Sequence, residues 1–284
     1  MRLLPVAVIL CVLAGICISG CITGDNDQGA ATDGESALRE SLQEQEKIIA
    51  RNPANATAWL MKGNLHQLLR EFDAADTAYD RVLELDPGIS LAWLYKGNLR
   101  HIQGSYADAL LMYDTGIRMD PNNPLFWGYR ARALVALGQY GEALQSYDQA
   151  LALDPLHSFA ARDKGDLLKA AGLYGEALNS YTMALAADPG NTELAIIIAD
   201  LEKSLMRYPE ALETYESILL KDPGNQSALS GKAATLAGMG RYEEAIAIYD
   251  NLIAISPDAA DVYAFRAFAL NSLGRHEEGL SSAE

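Results

Sequence analysis

Nucleophilic, metal-assisted and acid–base catalysis draw on cysteine, histidine and paired carboxylates, and in this 284-residue chain their spacing supports none of the three. Cys11, Cys17 and Cys21 all fall within the first twenty-one residues, so the remainder has no thiol for a disulfide or a zinc site. His66, His101, His157 and His276 show no metal-ligand spacing with one another or with a cysteine, and each reads as a surface or structural side chain. No glycine-rich phosphate loop opens a helix, and no G-x-S-x-G elbow occurs. Carboxylates number 38, but they lie at periodic or surface positions where no catalytic pair stands apart from a solvated helix face. The sequence therefore predicts no catalytic residue, no metal and no cofactor.

Half of the chain is hydrophobic, which predicts a packed architecture rather than disorder. A formal charge of −16 argues against nucleic acid as a partner, because binding phosphate needs a basic surface. The cysteine-bearing end reads as an export signal over residues 1–20: Arg2 supplies one positive charge, Leu3 to Ile18 is almost unbroken apolar sequence, and Ser19 and Gly20 are small. Ile18-Ser19-Gly20-Cys21 resembles the lipobox of prokaryotic lipoproteins. That resemblance implies cleavage before Cys21 and a lipid on its sulfur. The alternative is an uncleaved N-terminal anchor, for which Leu3 to Ile18 falls just short of a full span. Either route predicts a protein exported and membrane-anchored at the extracytoplasmic face. Residues 21–35 offer little to bury and predict a flexible tether.

The remaining sequence repeats. Pro53, Pro87, Pro121, Pro155, Pro189, Pro223 and Pro257 are evenly spaced by 34 residues. Ala75, Ala109, Ala143, Ala177, Ala211 and Ala245 recur in register, as do Tyr79, Tyr113, Tyr147, Tyr181, Tyr215 and Tyr249, and Trp59, Trp93 and Trp127. Within one unit, Trp127, Ala131 and Leu134, then Ala143, Tyr147, Ala150 and Leu151, follow helical spacing, with Leu137-Gly138-Gln139 marking a break between two helices. Each unit is thus a predicted helical hairpin, closed by proline, which disfavours helical geometry in the residue before it. Pro124 and Pro209 fall at predicted helix starts, where a missing amide proton costs nothing.

These recurring alanines, tyrosines and tryptophans resemble the tetratricopeptide-repeat signature. The resemblance implies an all-α fold, a right-handed α-solenoid of stacked helix-turn-helix hairpins. Six full repeats are expected over residues 56–259, a capping helix before them over 36–55, and a partial seventh repeat over 260–284. In that last unit His276 replaces the aromatic and Gly279 the alanine, and Leu270, Leu273 and Leu280 are expected to be left partly exposed.

By analogy with the family, the first helices line a concave face that binds extended peptides from other proteins, here envelope or membrane-associated ones. That face is expected to carry Leu60, Asn64, Leu94, Tyr95, Asn98, Tyr129, Arg132, Arg162, Asp166 and Lys169. Apolar and amide groups give way to basic ones, which suits apolar anchors followed by an acidic stretch. The family's clamp for a terminal carboxylate needs lysine at Leu60, asparagine at Tyr95 and basic residues at Leu125 and Tyr129; only Asn64 matches, so that function is disfavoured. Lys62, Lys96, Arg130, Lys164, Lys232 and Arg266 form a basic ladder broken at Ile198, and Asp80, Asp114, Asp148, Glu216 and Asp250 an acidic one broken at Thr182, which predicts structural pairing. The leading expectation is a non-catalytic membrane-tethered scaffold or assembly factor. The alternative is a carrier of a small molecule or glycan stacked on Trp59, Trp93, Tyr95 and Tyr129. Asn55 and Asn225 begin N-glycosylation triplets in form.

Overall fold

The computed structural model describes residues 28–283. The expected export signal, Cys21 and the tether as far as residue 27 lie outside the described residues. The described residues form fifteen α-helices and no strand: α1 (Gln28–Arg51), α2 (Ala56–Leu68), α3 (Phe72–Leu85), α4 (Ser90–Ile102), α5 (Tyr106–Met119), α6 (Pro124–Ala136), α7 (Tyr140–Leu153), α8 (Ser158–Ala170), α9 (Tyr174–Ala187), α10 (Thr192–Ser204), α11 (Tyr208–Lys221), α12 (Gln226–Gly238), α13 (Tyr242–Ile255), α14 (Ala260–Ser272) and α15 (His276–Ala283). They group into two compact units that divide after Leu153. In the first, α1 packs on α2, and hairpins α2/α3, α4/α5 and α6/α7 follow. The second stacks α8/α9, α10/α11, α12/α13 and α14/α15. First helices of successive hairpins touch, α2 with α4 and α4 with α6 in one unit, α10 with α12 and α12 with α14 in the other. Each unit is therefore a length of α-solenoid whose first helices share one side.

The hairpin geometry follows from a repeated size contrast. The six recurring tyrosines are at most 1% exposed, and Tyr79, Tyr113, Tyr181 and Tyr215 each fill a gap left by a glycine, Gly63, Gly97, Gly165 and Gly231. At Gly97 an added Cβ would fall 2.4 Å from the Tyr113 ring, so the two helices approach closely only because that Cβ is missing. The turns use the left-handed region: Gly104, Gly138, Gly172, Gly240 and Gly274 have φ of +75 to +78°. Arg70 and Met206 occupy the equivalent turns at +61 and +59°, where a side chain is strained.

Helix ends are satisfied locally. The Asn55, Asn123, Asn191 and Asn225 side chains accept from the amides of Ala58, Leu125, Leu194 and Ala228 at 3.0–3.1 Å. Both asparagines that open glycosylation triplets are thus N-caps. Pro124 and Pro209 sit in the first two positions of α6 and α11, as the sequence predicts.

Two expectations need correction. Helix α1 begins at Gln28, inside the segment read as a tether and ahead of the cap expected from residue 36; no proline interrupts residues 28–35, and Ala30 and Ala31 favour helix. Leu270 is fully buried against Ile246 and Ala269 rather than exposed, because it faces the preceding hairpin, whereas Leu273 is partly buried and Leu280 is 69% exposed.

Candidate functional site

The side of each unit formed by first helices is where sequence reasoning places partner binding, and its chemistry starts from the buried tyrosines. A buried hydroxyl must find an acceptor. The single Tyr79 O–H has two acceptors in reach, Asn64 at 2.8 Å and Gln67 at 2.9 Å, while Tyr113 donates to Asn98 at 2.7 Å, Tyr181 to Asp166 at 2.5 Å and Tyr215 to Asp200 at 2.7 Å. For these four tyrosines an acceptor stands 15 residues earlier, on the first helix of the same hairpin, whereas Tyr147 and Tyr249 have Arg132 and Ala234 at that position. Burial pushes the hydroxyls of Tyr79, Tyr181 and Tyr215 well above the usual phenol range, and for Tyr181 and Tyr215 the accepting carboxylate adds to it.

Asn64, Asn98 and Asp166, expected as groove residues, therefore hold the hairpins together with part of their hydrogen-bonding capacity. Asn64 also reaches the Tyr95 hydroxyl, whose pKa is raised by burial and partly lowered again by that bond. The amide and carboxylate groups remain half-buried or exposed, so they serve structure from inside and stay open to solvent.

In the first unit Leu60 is half-buried and packs against the Tyr79 cluster. Leu94 and Tyr95 do not line an open surface: Leu94 is 2% exposed among Tyr113, Phe126 and Ala133, and Tyr95 is 5% exposed with its ring stacked 6.0 Å from Tyr79. Helix packing has absorbed both. Tyr129 is half-buried, stacks 5.9 Å from Tyr113, and carries the Arg132 guanidinium 5.7 Å over its ring. In the second unit Arg162, Asp166 and Lys169 are exposed on α8, and Arg162 reaches Glu193 at 3.4 Å. The ten expected residues thus fall into two sets, one per unit.

The charge ladders pair as predicted. Lys96 meets Asp80, Arg130 meets Asp114 at 2.8 Å, Lys232 meets Glu216 at 2.9 Å and Arg266 meets Asp250 at 2.5 Å, each linking a first helix to the second helix of the hairpin before it. Lys62 finds Glu46 of α1 at 2.9 Å. The two breaks, Thr182 and Ile198, occupy one such pair of positions, so both charges are lost together where one alone would be left unpaired. The tryptophans are anchored too: the indole N–H groups of Trp59, Trp93 and Trp127 donate to the carbonyls of Pro53, Pro87 and Pro121 at 3.0–3.3 Å.

Sequence reasoning passed over Glu202. It is 8% exposed on α10, accepts from Thr214 at 3.2 Å, and burial raises its carboxyl above the usual range. Its spacing does mark it, since Leu134, Leu168, Leu236 and Leu270 hold the same position of the 34-residue register and are buried.

A family profile described as tetratricopeptide repeat matches residues 60–124, 130–192 and 232–283, and two others of the same description match 168–236 and 112–145. No curated protein matches the chain significantly. Among solved structures, the pilF protein of Pseudomonas aeruginosa is 18% identical with a TM-score of 0.58, covering 77% of this chain and 99% of its own. A tetratricopeptide repeat protein from Parabacteroides merdae is 19% identical with a TM-score of 0.51, covering 80% and 90%. A chain of the APC/C hetero-tetramer Cut9-Hcn1 is 18% identical with a TM-score of 0.53, covering 82% of this chain and 46% of its own. At these identities the likeness is one of fold.

Proposed function

We propose, since the chain belongs to the tetratricopeptide repeat family and such proteins generally mediate protein–protein interaction, that it is a non-catalytic scaffold or assembly factor held at the outer face of a prokaryotic membrane. Cys21 and its lipid, or an uncleaved apolar anchor, provide the tether, and the first-helix side binds extended segments of envelope proteins. The observation that carries the peptide reading is Tyr129 with Arg132 laid over its ring on α6. An aromatic face and a cation together offer one apolar and one charged handle, and residues of these two types recur as anchors in protein interfaces. Leu60, Asn64 and Asn98 add apolar and amide groups on the same side of that unit.

Crosslinking and mass spectrometry from native membranes, comparing the intact chain with Tyr129→Ala/Arg132→Glu, tests this. The intact chain should capture an envelope protein that the double variant loses although it still unfolds cooperatively, with Arg132→Glu alone weakening capture at an unchanged thermal midpoint. Equal capture by both would refute the assignment of α6. Tyr95 is left out because its burial would make any loss a stability effect.

The carrier alternative has one observation in its favour, a cavity of about 480 Å³ bounded by Trp127, Arg130, Gln145 and Gln149 in the first unit. It lies in the size range of small-molecule sites. Calorimetric titration of neutral oligosaccharides distinguishes it, since the scaffold reading expects no heat of binding.

A further inference from the structure

The first helices of the second unit set large side chains on either side of small ones. At one position of the 34-residue register α10 has Ile197, α12 has Gly231 and α14 has Phe265; three residues further on stand Asp200, Ala234 and Phe268. These helices are neighbours, since α12 touches both α10 and α14. The glycine is obligatory, because a Cβ at Gly231 would fall 2.3 Å from the Tyr215 ring. Phe265 stacks on Tyr249 at 6.2 Å yet is 47% exposed, and Phe268 is 62% exposed. Two open aromatic rings beside Gly231 and Ala234 make an apolar trough on the first-helix side, a feature that marks an interaction surface when its rim is polar.

Charge decides what fits there. Residues 154–284 carry 20 acidic and 10 basic side chains. Asp200 is committed within the protein, accepting from Tyr215 and pairing with Lys203, each at 2.7 Å. Glu193 and Asp261 stand in the first turns of α10 and α14 and are exposed; the Glu193 side chain is 73% exposed, with Arg162 3.4 Å away. We infer that the trough docks a basic amphipathic segment of a partner protein, which lays an aliphatic or aromatic side chain over Ala234 against Phe265 and Phe268 and turns a lysine or arginine toward Asp261. The inference rests on the scaffold reading and gives the second unit a partner chemistry opposite to that of α6, where Arg132 over Tyr129 suits an acidic group. Covering the two rings supplies affinity, and the uncompensated negative charge draws in a basic segment while repelling an acidic one. The same charge opposes a second copy of this chain as the occupant.

Fluorescent nine-residue peptides test this by polarisation against the full chain in phosphatidylcholine nanodiscs, with empty discs as the blank. Four pools have a central phenylalanine flanked by lysine, by glutamate or by serine, or a central serine flanked by lysine, with the other positions mixed. The Phe/Lys pool should bind about tenfold more tightly than the Phe/Glu and Ser/Lys pools. Phe268→Ser should weaken it about fivefold at an unchanged thermal midpoint, because most of that ring is exposed. Glu193→Gln with Asp261→Asn should bring the Phe/Lys pool down to the Phe/Ser level. Equal binding by all pools, no binding by any, tightest binding by the Phe/Glu pool, or undiminished binding to Phe268→Ser would each overturn the docking surface. So would a dimer of the chain that Phe268→Ser dissociates, or loss of Phe/Lys binding in Tyr129→Ala/Arg132→Glu. The scaffold reading fails separately, in the crosslinking comparison at α6.

Discussion

Removing one oxygen at a time from the recurring tyrosines should rank them by what each hydroxyl touches. Tyr215 donates to the Asp200 carboxylate at 2.7 Å, Tyr113 donates to the Asn98 amide at 2.7 Å, and Tyr249 faces Ala234. Hydrogen bonds to charged groups contribute about 1.5–3 kcal/mol and neutral ones about 0.5–1.5 kcal/mol. Both acceptors are partly open to water, which recovers some of the loss, so the lower half of each range applies. Tyr215→Phe is expected to cost about 1.5 kcal/mol, Tyr113→Phe about 0.5–1 kcal/mol, and Tyr249→Phe roughly nothing. Phenylalanine keeps the ring and its packing, so no cavity term enters. Urea unfolding followed by circular dichroism gives the midpoints, and native-state hydrogen exchange shows whether each loss stays within its own hairpin, as expected for a repeat array in which stability is set by neighbours. A loss for Tyr249→Phe as large as that for Tyr113→Phe would refute the reasoning, since it would mean that ring packing or an unrecognised acceptor dominates.

Two further outcomes follow from strain and from burial. Met206 is 76% exposed at φ +59°, so Met206→Gly gives up little packing and should stabilise the second unit by about 0.5–1 kcal/mol; the converse, Gly138→Ala at φ +75° with nothing within 4 Å of the added Cβ, should destabilise the first by a similar amount. Thermal melts of both decide it, and a destabilised Met206→Gly would show that the side chain matters more than the backbone. Glu202 has a folded-state carboxyl raised by burial, so its contribution is most favourable below the ordinary glutamate value of 4.5 and is lost as pH rises through the raised one. Glu202→Gln, which can still accept from Thr214, should therefore melt above the parent at neutral pH with an advantage that shrinks toward pH 4.5. Parallel melts that diverge in the opposite sense would refute the assignment.

The sequence alone carried the fold because a 34-residue period is a strong signal: one proline, one alanine and one tyrosine per repeat recur in register, and the helices they bound appear where spacing places them. It carried the charge ladders for the same reason, including the paired breaks at Thr182 and Ile198. Identity at a repeat position did not reveal exposure. Leu94 and Tyr95 occupy first-helix positions like those of exposed Arg162 and half-buried Tyr129, yet neighbouring hairpins bury both, since burial depends on the bulk that faces a residue from another helix. The burial of Glu202 and Leu270, by contrast, is legible in the register, because both hold the repeat position at which Leu134, Leu168 and Leu236 are buried.

What the sequence by itself determined is therefore what local spacing sets: the hairpin period, the breaks between helices, and which residues recur. Only the tertiary structure decided which of those residues remain open to a partner and which spend their polar groups on the protein itself. Asn64, Asn98, Asp166 and Asp200 look alike in sequence to any surface polar residue until Tyr79, Tyr113, Tyr181 and Tyr215 are seen donating to them. A hydrogen bond joins atoms on two helices at a distance of a few ångströms, and only folding brings those atoms within reach.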